Sequence, residues 1–173
     1  IHLSSGSFGY QNGSGGYSLA TSNTNLQLQI GKTSSKGNYP FSSDDKIQIR
    51  SNNDYKQQFI SGLYQRHNHN NRIYKANVLF VDHDRGVAGG LSYPSQNARR
   101  KNNLIVTGLE FIQIMEKGHL RLEVNQRSSD EDFNNVDIGT DSHHKVSSSG
   151  IRIHGLFQTR KIKMNGFSTA KFQ

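Results

Sequence analysis

Apolar side chains in this chain fall into short runs in which alternate positions are polar. The segment 26–30 reads LQLQI and 46–50 reads KIQIR; Leu120, Leu122 and Val124 alternate with His119, Arg121 and Glu123. Successive side chains leave a strand on opposite sides, so a period of two marks a strand with one buried face. Residues 104–124, LIVTGLEFIQIMEKGHLRLEV, carry the densest such patterning and predict a hairpin turning at Lys117-Gly118. Residues 73–82 (IYKANVLFVD), 151–157 (IRIHGLF) and 160–164 (RKIKM) predict further strands, with 166–173 as a last edge strand. In 26–30 and 46–50, the apolar face is expected to point inward and Gln, Lys and Arg outward.

The pattern leaves one segment open. In 54–64 (DYKQQFISGLY), Tyr55, Phe59 and Leu63 suit a short amphipathic helix capped by Asp54, while a strand from Gln58 fits nearly as well. Residues 1–25 are rich in Gly and Ser, and read as a flexible or docking arm; Phe8, Tyr10 and Tyr17 would let it complete a sheet. Residues 86–103 and 126–149 read as long polar loops. Together these elements predict an all-β fold: an antiparallel sandwich or jelly roll of about 7–9 strands with at most one short helix. Residues 26–173 would form a single β domain.

Composition narrows the chemistry. There is no cysteine, which removes disulfides, thiolate metal sites and cysteine nucleophiles. No apolar run approaches the 18 or more residues of a spanning helix, so no transmembrane segment is expected. The chain opens at Ile1, not Met, so an initiator or signal segment is expected to have been removed. The Ser/Asn/Gly-rich composition favours an extracellular or surface-exposed location. A formal charge of +8 and a pI near 9.8 favour an anionic partner, such as an acidic glycan or other anionic surface. Nucleic acid is less favoured, because the basic clusters are not interleaved with aromatics. The clusters that would contact such a ligand are Arg99, Arg100 and Lys101, and Arg160, Lys161 and Lys163.

Three groupings could carry chemistry. Asp82, His83 and Asp84 follow a buried strand, and two carboxylates beside an imidazole suit cation binding or general base work. Alternation argues against their cooperation, since the carboxylates share one face and His83 takes the other. His143 and His144, beside Lys145, suit acid–base cleavage of a phosphodiester, with His119 or His154 as partner. His67 and His69 have the spacing of an H-x-H metal pair, although a site there would need further ligands. No cofactor is expected beyond an optional divalent cation. The reading that follows is a non-enzymatic binding or assembly module of adhesin, attachment or structural-subunit type, presenting long loops and suited to homo-oligomers. The alternative is a histidine- or metal-dependent hydrolase or lyase acting on glycan or phosphodiester, using Asp82, His83, Asp84 and His143 or His144.

Overall fold

The computed structural model describes residues 1–43, 46–90, 94–158 and 163–172. The chain is all-β and antiparallel, with one large and one small sheet. Its strands are β1 (His2–Ser5), β2 (Gln11–Ala20), β3 (Thr24–Ser35), β4 (Tyr39–Ser43), β5 (Lys46–Arg50), β6 (Tyr55–Asn68), β7 (Arg72–Gly86), β8 (Arg99–Met115), β9 (Gly118–Asn135), β10 (Thr140–Gln158) and β11 (Lys163–Phe172). A three-residue 3-10 turn, Ser7–Gly9, precedes β2. Among the described residues no helix is long and apolar enough to cross a membrane.

Among the described residues the large sheet has nine strands in the order β1-β2-β3-β6-β7-β8-β9-β10-β11, while β4 and β5 pair as a separate hairpin. Each strand of the large sheet therefore lies beside its predecessor in sequence, with only the β4–β5 hairpin intervening. This order sorts the connections by length. Segments 21–23, 69–71 and 116–117 turn tightly at one end of the sheet, the turn end. The β1–β2 segment, the described parts of 36–54 and 87–98, and 136–139 gather at the other, the loop end.

The hairpin predicted over 104–124 is present, with β8 and β9 joined at 116–117. The open segment 54–64 is strand, the start of β6, and it is laddered on both sides by β3 and β7. Two neighbours offering backbone partners outweigh a helical spacing of three side chains. Residues 1–25 follow the sheet-completing option: β2 pairs with β3 from Gln11 to Ala20, and β1 pairs with β2. The polar stretch 126–149 is a ladder too, because β9 and β10 stay paired from Gln126↔Ser149 out to Asn135↔Thr140. Of the two terminal strands expected over 160–164 and 166–173, residues 160–162 lie outside the described residues. The described part is one edge strand, β11.

The direction of burial reverses the sequence expectation. Residues paired across strands share a face, so the register divides the sheet into two. One face carries Leu28 and Ile30 of β3, Ile60 and Tyr64 of β6, Val78 and Phe80 of β7, Ile105 and Leu109 of β8, Leu122 and Val124 of β9, and Ile151 and Ile153 of β10. All but Tyr64 and Phe80 of these side chains are open: Leu109 is 62% exposed and Ile60 51%. The opposite face carries Lys75, Glu110, Arg121, Glu123 and Arg152, yet the side chains of Glu110 and Glu123 are only 15% and 17% exposed. Among the described residues no large side chain is fully buried, and the hydrophobic core proper is Ala88 and Ala98. Leu120, Leu122 and Val124 do alternate with polar neighbours, but the polar set is the enclosed one.

Candidate functional site

Register places most of the sequence candidates apart. Asp82 and Asp84 lie on the apolar side of the sheet, above the apolar rows, and His83 lies on the charged side, as alternation requires. Asp82 is linked to β10 through Asn103, Asp130 and Lys145, three strand spacings or about 14 Å across the sheet. His83 is likewise three spacings from His144, through Asn102 and Glu131, on the charged face. His143 and His144 are themselves on opposite faces. His154, offered as an acid–base partner, is eleven positions further along β10 from His143, about 36 Å. His119 sits with His154 at the turn end, their rings 5.4 Å apart. These histidines and aspartates do not form one pocket.

His83 packs edge-on against Tyr55, with ring centroids 5.8 Å apart. Burial, then the positive charge of Arg85, holds its imidazole below the ordinary value. His67 Nε2 lies 2.7 Å from Gln65 Nε2, and neither His67 nor His69 joins a metal-ligating group among the described residues. A different group does converge. His143 Nδ1 lies 2.6 Å from Asp132 and 3.4 Å from Asp130, so one imidazole and two carboxylates could hold a divalent cation. They meet because the β9–β10 register sets Asp132 opposite His143 and Asp130 two residues along. The hydrogen bond to Asp132, then the charge of Asp130, raises the His143 imidazole above its ordinary value. Sequence alone does not reveal this trio, because 126–149 reads as loop, where facing pairs have no defined register.

The basic patches are dispersed in the same way. Arg99 forms ion pairs with Asp54 and Asp84 at 3.0 and 2.8 Å. Arg100 reaches Glu131 at 2.6 Å on the other face, and its hydrogen bond holds that carboxyl below the usual range. Lys101 shares a face with Arg99. Arg160 and Lys161 lie outside the described residues; Lys163 pairs through its backbone with Gln158.

Among the described residues, the buried side chains gather at the loop end. Asn52 Nδ2 lies within 2.9–3.2 Å of the carbonyls of Val87, Ser95 and Ala98, tying the β5–β6 segment to the β7–β8 connection. Asp137, in the β9–β10 turn, accepts from Ser95 Oγ at 2.8 Å, Gln96 N at 3.0 Å and Asn97 Nδ2 at 2.7 Å. The bonds from Asn97 and Ser95 hold its carboxyl below the usual aspartate range. Arg50 donates to the Gly89 carbonyl. Ala88, Ser95, Ala98 and Asn135 are buried here, with Ala98 only 1% exposed. Three separate connections thus interlock into one polar platform. The sequence matches no known protein-family model and no curated protein.

Proposed function

We propose that this chain is a non-enzymatic binding or assembly module whose sheet presents the loop-end platform to a partner. The observation that supports it is the interlocking of residues 50–54, 87–90, 94–98 and 135–137 by Asn52, Asp137 and Arg99. Loops tied to one another keep a fixed surface, and a fixed surface loses little entropy on binding. The dispersal of Asp82, His83, Asp84, His143 and His144 over both faces and several strands speaks against the hydrolase reading.

The partner class favoured by the net charge is an anionic surface, such as an acidic glycan, met at an extracellular or surface-exposed location. Lys101 is exposed beside the Arg99 ion pairs, and is the cation of its cluster without an ion pair among the described residues. Heparin-column retention against salt tests this. Lys101→Ala is expected to lower the eluting salt concentration, and Asn52→Ala, which leaves the charge unchanged, to lower it by loosening the platform. Identical elution of both variants and the parent would remove the platform from the account.

A further inference from the structure

The face left open in the large sheet is apolar, continuous and unlike a soluble surface. Single exposed leucines are ordinary, but contiguous apolar patches beyond a few hundred Å² are rare on soluble monomers. Here the cross-strand row from Leu19 through Leu26, Tyr64, Leu109 and Val124 to Ile151 is apolar on every strand from β2 to β10. On the other side of the same strands, at the same level, lies a row of charges. Lys75 contacts Glu110 at 3.4 Å; Arg121 contacts Glu110 at 2.8 Å and Glu123 at 2.5 Å; Arg152 contacts Glu123 at 3.2 Å. A sheet that encloses the carboxylates of its ion pairs and opens its leucines is inside-out relative to a water-soluble fold.

The band has definite edges. On β7 it runs from Tyr74 to Phe80, about 20 Å of backbone, between Arg72 and Asp82. On β10 it runs from Ile151 to Phe157, also about 20 Å, while residues 140–149 beyond it are almost wholly polar. Aromatic side chains mark its turn-end margin on four strands: Tyr64, Tyr74, Phe111 and Phe157. The band also drifts across the ladder. The residue in register with Leu28, the centre of the band on β3, is Ser149 on β10, reached through Gly62, Val78, Thr107 and Gln126. The band on β10 is centred about five residues further on, a shift of about 16 Å over about 24 Å of sheet width. A level apolar band therefore requires strands inclined by about 35°, within the range of spanning β-barrel walls.

We infer that the apolar face is seated in the hydrocarbon of a lipid bilayer, with the strands of the large sheet crossing it and the charged face turned to an aqueous interior. The rule against charges in hydrocarbon then explains why, among the described residues, every ion pair at band height lies on one face. The division of short turns from long connections follows as well, since these ends would emerge on opposite sides of the membrane. This goes beyond the platform reading and does not depend on it: the platform can bind in solution whether or not the sheet spans.

The chain contains no tryptophan, so a single introduced indole reports one position without background. Full-length chain is folded into phosphatidylcholine vesicles and floated on a density gradient, with Leu109→Trp and Asn77→Trp as probes of the two faces. Bromine placed mid-chain in the lipid is expected to quench the indole at position 109 several-fold more than that at position 77. Leu109→Arg is expected to reduce the floated fraction at least tenfold, while Glu110→Gln leaves most of it floating. Circular dichroism on the vesicle and supernatant fractions separates failure to fold from failure to insert. A folded chain that stays in the supernatant, or equal quenching at both positions, overturns the inference. So does a water-soluble dimer by light scattering in which the indole of the Leu109→Trp variant is shielded, because a second copy would then be the cover.

Discussion

The two faces of one sheet obey opposite rules. On the charged face, side chains crowd: Phe59 lies directly over Gly31, Asn77 over Gly108 and Asn125 over Gly150, each filling the space a Cβ would occupy. On the apolar face the contacts are looser: at Gly62 the nearest atoms, of Val78 and Leu28, would lie at 3.2 and 3.3 Å, and at Gly15 nothing is nearer than Ile1 at 4.0 Å. Both faces hang on the same backbone ladder, so the contrast belongs to the side chains and their surroundings. Alternation in a sequence separates two environments, but it does not say which of them is water.

The contrast can be broken most directly at the glycines. Gly31→Ala drives a methyl into the Phe59 ring, and is expected to destabilise the fold by about 1–3 kcal/mol in urea titration. Gly15→Ala, on the open face, is expected to be neutral or slightly stabilising. Equal effects would mean that the faces do not differ in packing. Next comes the charge row. Glu123→Ala leaves Arg121 and Arg152 without a shared carboxylate, and both guanidinium groups are over 40% exposed, so solvent limits the loss to about 1 kcal/mol. A double-mutant cycle with Arg152→Ala reads the coupling itself.

The third prediction concerns protons. Burial keeps His83 below its ordinary pKa of 6.5, so the folded chain binds fewer protons there than the unfolded one. The stability it contributes is present above 6.5 and lost as pH falls through 6.5 towards the lowered folded value. Melting temperature across that window should fall less steeply in His83→Gln; unchanged slopes would show the imidazole to be solvated. The smallest effect is expected at Val146→Asn, within about 0.5 kcal/mol in urea titration, because that side chain is 64% exposed in the polar stretch of β10, outside the apolar band.

Much of the ladder is legible from residues. The turn at 116–117 is announced by Lys117-Gly118 between two alternating runs, and the tip after His67 by its Asn-rich polarity. β2 is hidden because QNGSGGYSLA has almost no apolar alternation; pairing with β3 holds it. The outer halves of β9 and β10 are hidden for the same reason, and with them the approach of His143 to Asp130 and Asp132. The candidate residues are sound as chemistry but wrong as neighbours, since alternation assigns faces and not partners. Asp82, His83 and Asp84 illustrate the limit: their split across the sheet is readable, whereas Arg99 as the partner of Asp84 is not.

The sequential strand order has a consequence for how such a molecule changes over generations. Each hairpin touches only the hairpins beside it, so duplicating one inserts two strands without rewiring any other pairing. Growth by one strand would carry every later tight turn to the opposite end of the sheet. Growth by two leaves all of them in place. The architecture is thus free to widen, but only in even increments.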